Sequence, residues 1–253
     1  MSNFCNIGRK RPRASVNRAN KKRKRGAVFG ENIENTENLS KPVEKSGQTA
    51  YNESVKGVIV LNSLQRRILT DGDVLPGGIL KVDSFLNHQV DVRLLRQMAD
   101  DFYAAFQNTR IDKILTIEAS GIAIACYVAE RFDVPLVFAK KGRHKNVGND
   151  VLTAEVFSFT KGTSYNVTVS RKYLQPDERV LVVDDFLANG QAVLGLKKIL
   201  DEAGCELVGA AIAIEKAFQP GEKLLRDAGI DVKALAVIES MSDDGQIVFR
   251  DEN

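Results

Sequence analysis

The chain contains no tryptophan, three cysteines, two histidines and three methionines in 253 residues. Cys5, Cys126 and Cys205 are odd in number and widely spaced, with no CxxC pair. That argues against a disulfide framework or a cysteine-rich zinc site and fits a reducing compartment. Cys126 falls on the apolar face of an expected helix, where a thiol packs as a small hydrophobe. His88 and His144 are too few for a His-rich metal centre and do not suggest a nucleophilic triad. No apolar run approaches the roughly 20 residues of a membrane span. The start, Met1 to Ile7, is not followed by the apolar core of a secretory signal. These absences lead us to expect a cytoplasmic protein that contacts no membrane.

One kind of charge is also missing from one stretch. Arg9 to Arg25 holds ten Lys/Arg and no Asp/Glu, so the remainder carries 26 basic against 33 acidic residues. The formal net charge of +3 therefore hides a mildly acidic body and a basic arm. Residues 1–56 are polar, rich in Asn, Lys, Arg, Glu and Ser, and show neither helical nor strand period, which predicts disorder. The block Lys21-Lys22-Arg23-Lys24-Arg25 leaves open a nuclear-import or nucleic-acid patch, or a presequence without its apolar face. The expected division is a basic arm over 1–56 and a single domain over 57–253.

Within the domain, order is expected to begin near Val58, with Leu61, Leu64 and Leu69 at loosely helical spacing up to Gly72. Pro76-Gly77-Gly78 marks a break. Ile79 to His88 reads as a short extended piece. Asp91 is placed to cap an amphipathic helix carrying Leu94, Leu95, Met98, Phe102, Ala105 and Phe106 on one side. Strands are expected at Lys113–Ile117 and Val134–Ala139 around a helix at Ile122–Phe132. Leu152 to Ser170 has the alternation of a β-hairpin, Tyr165, Val167 and Val169 against Asn166, Thr168 and Ser170, and is long enough to act as a lid. A strand at Leu207–Ile214, a short helix near Lys223–Ala228 and a last strand around Leu235–Ile238 complete the pattern. Alternating strands and helices predict an α/β fold with a mostly parallel central sheet flanked by helices.

The chain is organised around VLVVDDFLANGQA, Val180 to Ala192. Four apolar residues form a strand buried on both faces, closed by Asp184 and Asp185. Ala188-Asn189-Gly190-Gln191 then leads into helical spacing at Val193, Leu196, Ile199, Leu200 and Ala203, with Gly204 as the stop. A small-residue loop opening a helix offers free N–H groups and a positive dipole end to a phosphate. Acids beside a phosphate site need another ligand: sugar hydroxyls, magnesium or a developing cation. Glu118-Ala119-Ser120-Gly121 ends another strand as a second candidate anion loop, and Glu215-Lys216-Ala217-Phe218 ends a third. Ligands of parallel sheets bind at such strand ends. Lys216 and Phe218 suit a planar oxygen-bearing ring, the cation toward a carbonyl and the aromatic against a face.

VLVVDDFLANGQA resembles the phosphoribosyl-pyrophosphate (PRPP) motif of the type I phosphoribosyltransferases. The order of elements is similar to that of the adenine branch, and LKVDSFLNHQVD (Leu80 to Asp91), DDFLANGQA and IEKAFQPG (Ile214 to Gly221) together closely resemble the bacterial xanthine phosphoribosyltransferases. The likeness runs from about Leu61 to the C-terminus. It excludes the arm and departs around Gly142 to Asn149. It implies the type I fold with a hairpin lid and a small base-binding hood, and a homodimer. It implies that Ala188, Asn189, Gly190, Gln191 and Ala192 cradle the 5′-phosphate of PRPP and that Ala119, Ser120 and Gly121 form the pyrophosphate loop. Leu80, Asn87, Lys216 and Phe218 would contact the purine, and Asp184 and Asp185 would face the ribose as catalytic groups. Mg²⁺ would accompany PRPP with few or no direct protein ligands. The implied reaction is transfer of the phosphoribosyl group from PRPP to xanthine, giving XMP and pyrophosphate in purine salvage. Two alternatives are a transferase using guanine, hypoxanthine or adenine, and a non-catalytic PRPP-responsive regulator touching nucleic acid through the arm. The missing helix-turn-helix periodicity weighs against the second.

Overall fold

A computed structural model of the chain describes residues 61–142, 150–158 and 162–250. The expected basic arm, the start of order at Val58, His144 and most of Gly142 to Asn149 lie outside the described residues. The elements follow in chain order: α1 (Ser63–Asp71), β1 (Asp73–Leu75), β2 (Ile79–Lys81), α2 (Val92–Phe106), β3 (Lys113–Ile117), α3 (Ser120–Phe132), β4 (Leu136–Lys141), β5 (Val151–Ser158), β6 (Thr163–Ser170), β7 (Arg179–Leu187), α4 (Gln191–Ala203), β8 (Glu206–Lys216), α5 (Gly221–Asp227), β9 (Val232–Met241) and β10 (Ile247–Phe249).

Eight of these strands form one sheet in the order β10-β9-β8-β7-β3-β4-β6-β5. The central five are parallel, and β10, β6 and β5 join antiparallel at the edges. Val180 to Val183 are wholly buried because the sheet is covered on both sides. Leu181 and Val183 join the core cluster that holds Leu95 and Met98 of α2 and Ile124 and Val128 of α3, whereas Val180 and Val182 join the one that holds Leu196 and Ile199 of α4. Each such side chain contributes roughly 1.5–3 kcal/mol on leaving water, so this strand is the sheet's main anchor. The side change of the helices has a topological consequence. From β3 the chain moves outward to β4, and from β7 it moves outward the other way to β8, so loops diverge between β3 and β7 and leave a crevice at their carboxyl ends.

Local expectations hold where periodicity was strong. Asp91 caps α2, its Oδ1 accepting from the backbone N–H groups of Arg93 and Leu94 at 3.0 and 3.3 Å. Gly204 ends α4 in the left-handed region at φ 78°. The hairpin forms in register from Val151↔Ser170 to Ser158↔Thr163, but as the outer edge of the sheet. Its apolar face, Leu152, Ala154, Val156, Val167 and Val169, is buried in the cluster that contains α4.

Several expectations are corrected. Ile79–His88 is extended only to Lys81; Asp83–Asn87 winds into a wide helical turn that buries Phe85 and Leu86, because two adjacent apolar residues must both reach the core. Asp184 and Asp185 do not close their strand: β7 continues through them to Leu187, held by pairing to β8 up to Leu187↔Glu215. Leu69 and Ala105 are exposed, and Ile68 and Ala99 take the inward positions. Cys126 is exposed on α3 rather than packed. The last strand is β10, short and half-exposed, beyond the expected end at Ile238.

Candidate active site

At the crevice between β3 and β7 the turn after β3 approaches the acid-bearing end of β7 closely. After β3 comes a cis Glu118–Ala119 peptide, and α3 begins at Ser120. Gly121 leaves no room for a side chain: a Cβ there would lie 2.2 Å from Thr116 Oγ1 and 3.1 Å from Asp184 Oδ1. This packing presses the β3 loop onto the β7 acids. Glu118 accepts from the backbone N–H of Lys141 at 2.7 Å, tying the loop to the end of β4. Thr116 is fully buried beneath it, and its hydroxyl has no hydrogen-bond partner among the described residues.

The acid pair is tight. The Asp185 backbone N–H donates to Asp184 Oδ1 at 2.9 Å, and Asn87 Nδ2 donates to Asp185 Oδ2 at 3.4 Å. Burial, and after it the charge of Asp185, pushes the Asp184 carboxyl well above the usual carboxylate range. Two acids held this way favour an approaching cation, because it relieves both the desolvation and their mutual repulsion. Burial first and the charge of Asp184 second also raise the Tyr165 phenol, which places that ring near the same acid.

Beyond the acids, Ala188 to Ala192 line a cavity of about 140 Å³ with Phe157, Tyr165 and Phe186. Gly190 sits at φ 72°, the left-handed region that favours glycine, and is the residue before α4. The loop rests on α5: Gly221 donates its N–H to Ala188 O at 2.9 Å, and a Cβ on Gly221 would lie 2.5 Å from that same oxygen. A cavity of about 340 Å³ between β4 and β6, lined by Phe138, Lys140 and Tyr173 among others, contains none of the candidate residues.

The third part is a small antiparallel hood. β1 and β2 pair through a turn at Pro76-Gly77-Gly78. Lys216, half-buried at the end of β8, donates from Nζ to Gly78 O at 2.8 Å and lies 5.6 Å from the centre of the Phe186 ring. Burial lowers its pKa from the ordinary lysine value. Phe218 is 45% exposed and its ring covers Gly78.

The structure thus brings together Asp184, Asp185, Gly121 and Asn87 on one side, Ala188 to Ala192 in one loop, and Lys216 with Phe218 under the hood. Phe186 links the last two groups, since it lines the loop cavity and lies beside Lys216. Leu80 is different: it is buried in the core cluster behind the hood. Sequence reasoning missed Thr116, Tyr165 and Gly221. Gly221 closes IEKAFQPG and Tyr165 lies in the alternating hairpin, both already noted, but Thr116 reads as an ordinary strand residue.

Comparison with known proteins decides the family. The phosphoribosyl transferase domain family matches residues 81–238. A xanthine phosphoribosyltransferase of Ruminiclostridium cellulolyticum is 53% identical over 186 residues, 74% of this chain and 97% of that protein. The chain belongs to the phosphoribosyltransferase family. Another member, the xanthine phosphoribosyltransferase of Laribacter hongkongensis, is 52% identical over 190 residues, 75% of this chain and all 100% of that protein. Among solved phosphoribosyltransferase structures, the adenine enzyme of Trypanosoma brucei superposes with a TM-score of 0.59 at 18% identity, covering 69% of this chain and 79% of that one. That likeness carries the fold: a mixed central sheet flanked by helices, of type I.

No helix among the described residues is long and apolar enough to cross a membrane. No group of three or more metal-ligating side chains converges among them either. The oxygens of Asp184 and Asp185 suit a hard cation such as Mg²⁺, but two carboxylates leave most of its coordination to other oxygens.

Proposed function

We propose that the protein is a pentosyltransferase that moves the 5-phosphoribosyl group of PRPP to xanthine, forming XMP and pyrophosphate in purine salvage. The observation that carries this reading is the packing of the turn after β3 against the acid pair at the β3–β7 crevice, with Lys216 directed to the hood. Relatives about half identical over nearly their full lengths support the choice of base.

In this reading Ala188, Asn189, Gly190, Gln191 and Ala192 hold the 5′-phosphate through backbone N–H groups at the start of α4. Ala119, Ser120 and Gly121 hold the pyrophosphate. The bond from the ribose anomeric carbon to pyrophosphate breaks, its electron pair leaving with pyrophosphate, and a purine nitrogen forms the new bond and gives up its proton to solvent. Positive charge develops on the ribose in between. Asp184 and Asp185 are aimed at that charge, and such electrostatic stabilisation is usually the largest catalytic contribution, about 3 kcal/mol per interaction. Mg²⁺ bound with PRPP would supply neutralisation of the leaving pyrophosphate, and Asp184 and Asp185 are the carboxylates that would meet it. Lys216 exchanges its bond to Gly78 O for a purine oxygen, Phe218 covers the ring, and Asn87, which already holds Asp185, couples the base side to the acids. Leu80 acts from behind, as packing for the hood.

The catalytic domain spans residues 57–253, residues 1–56 form a dispensable arm, and the working enzyme is a cytoplasmic homodimer. The test is direct. The protein is incubated with PRPP, Mg²⁺ and each of xanthine, guanine, hypoxanthine and adenine, and nucleotide is measured. XMP is expected. No turnover with any base refutes the transferase reading, and turnover with adenine alone refutes the assignment of Lys216 to a purine oxygen.

A further inference from the structure

Behind the phosphate loop lies a charged cluster that the reaction does not use. Glu215, adjacent to Lys216 on β8, is 4% exposed, and its Oε1 has no hydrogen-bond partner among the described residues. Around it stand Glu222 in the first turn of α5, Glu239 on β9, and Arg250 just past β10. Arg250 binds all three elements at once: Nε lies 2.5 Å from Glu239 Oε1, the Nη2 nitrogen 3.3 Å from Glu222 Oε2, and the Nη1 nitrogen 4.0 Å from Glu215 Oε1. Its backbone N–H donates to Val237 O at 2.8 Å, so the guanidinium is anchored to the sheet rather than swinging on a free tail.

The residue next to Glu222 is Gly221, the platform under Ala188 and Gly190. Without Arg250 the three carboxylates repel, Glu222 keeping a second cation only in Arg226 of its own helix at 3.8 Å, and the element free to yield is α5, seven residues long, rather than β8 or β9 inside the sheet. Motion of α5 is motion of Gly221, and therefore of the loop resting on it.

We propose that Arg250 is a positioning residue for the phosphate loop: by joining Glu215, Glu222 and Glu239 it seats α5, and with it Gly221, beneath Ala188–Gly190. The proposal rests on the reading of that loop as the PRPP 5′-phosphate cradle. It also carries a pH dependence. Burial, then the charge of Glu222, pushes Glu215 up to about 7, and Arg250 opposes this. Above that pH Glu215 is charged and the cluster needs its arginine; below it Glu215 is protonated and two of the three pairwise repulsions disappear, leaving that between Glu222 and Glu239.

The experiment compares wild type, Arg250→Gln, Arg250→Lys and the double variant Glu215→Gln/Arg250→Gln, with KM for PRPP, KM for xanthine and kcat measured from pH 6 to 8.5. Arg250→Gln is expected to raise the PRPP KM about tenfold at pH 8, an energy within the range of coupled neighbours. The increase shrinks toward pH 6 and leaves the xanthine KM within about twofold. Arg250→Lys restores part of the loss, and Glu215→Gln/Arg250→Gln restores most of it and removes its pH dependence. Unchanged PRPP KM in Arg250→Gln overturns the proposal, as does an equal rise in both KM values or a loss that deepens toward pH 6. Should Arg250→Gln fail to fold, the double variant still decides, because the proposal requires it to fold and to bind PRPP near the wild-type level. A wild-type protein without PRPP turnover would instead defeat the transferase reading itself.

Discussion

Gly121→Ala offers a quantitative test of how the turn after β3 is pressed onto the acid-bearing end of β7. The added methyl carbon would sit 2.2 Å from Thr116 Oγ1, where ordinary contact begins at 3.4 Å. The separation must therefore open by about 1 Å. Thr116 cannot supply it by rotating, since a β-branched side chain with no exposure has nowhere to turn. Nor can the other neighbour, Asp184 Oδ1 at 3.1 Å, retreat without losing the N–H of Asp185. The loop and the start of α3 must lift instead. Overpacking of this kind costs about 1–3 kcal/mol of stability. A displacement of about 1 Å at a reacting centre costs on the order of a hundredfold in rate. The expected result is a fall of that size in kcat/KM for PRPP with a melting temperature lowered by only several degrees. Thr116→Ala/Gly121→Ala removes the clashing oxygen and should recover most of the activity, while Thr116→Ala alone costs about 1 kcal/mol of stability. If Gly121→Ala keeps wild-type kinetics, or if the double variant is no better than the single one, the close approach does not position the acids and the reasoning fails.

Lys216→Met removes the buried cation while keeping its stem. It should reduce kcat/KM for xanthine by about 10- to 100-fold, the value of one hydrogen bond to or from a charged group, and leave the PRPP KM nearly unchanged; an equal loss for both substrates would show that Lys216 merely supports the hood. Asp185→Asn keeps the shape and the bond to Asn87 but removes charge, and should lower kcat by about a hundredfold with little change in melting temperature; matched losses in both would count against a catalytic role. Lys113→Met strips the cation from Glu178, whose carboxylate accepts from Lys113 Nζ at 2.6 and 2.5 Å at the opposite end of β3 and also from the Gln175 N–H at 2.8 Å. Because Glu178 is itself partly exposed, about 3 kcal/mol of stability should be lost in denaturant titration, with kcat per folded molecule intact. Deleting residues 1–56 should leave turnover unchanged, and a large loss would make the arm part of the enzyme.

What could be read in advance follows from the range of the signal. VLVVDDFLANGQA is legible because a two-sided buried strand, a turn and a capped helix all lie within about two dozen residues, and α2 because Asp91 and its apolar stripe are equally local. The hairpin strands follow from plain alternation. By contrast, Val82, Phe85 and Leu86 hold helical spacing over only a single turn, too short to stand out from the apolar run before it, so the wide turn at Asp83–Asn87 is not legible. Glu215 and Arg250 are 35 residues apart and meet only because β10 folds back on β9. Thr116 reads as one more strand residue until the loop above it is seen. Asp184 and Asp185 read as a strand end since acids rarely continue a strand, yet pairing with β8 carries β7 past them.

The pairing of β3 with β7 has an evolutionary consequence. The two turns proposed to hold phosphates hang from adjacent strands locked by Ile114↔Leu181 and Leu115↔Val182, so their spacing is a ruler cut into the backbone and not a property of any side chain. The hood belongs to a separate two-stranded sheet, joined to this ruler through contacts such as Lys216 to Gly78. Selection can therefore rewrite the hood for a new base without recalibrating the distance between the phosphates. Exchange of Asp73–Lys81 together with Lys216 and Phe218 for the matching residues of a relative that takes a different purine should transfer preference for the base while the affinity for PRPP stays where it was.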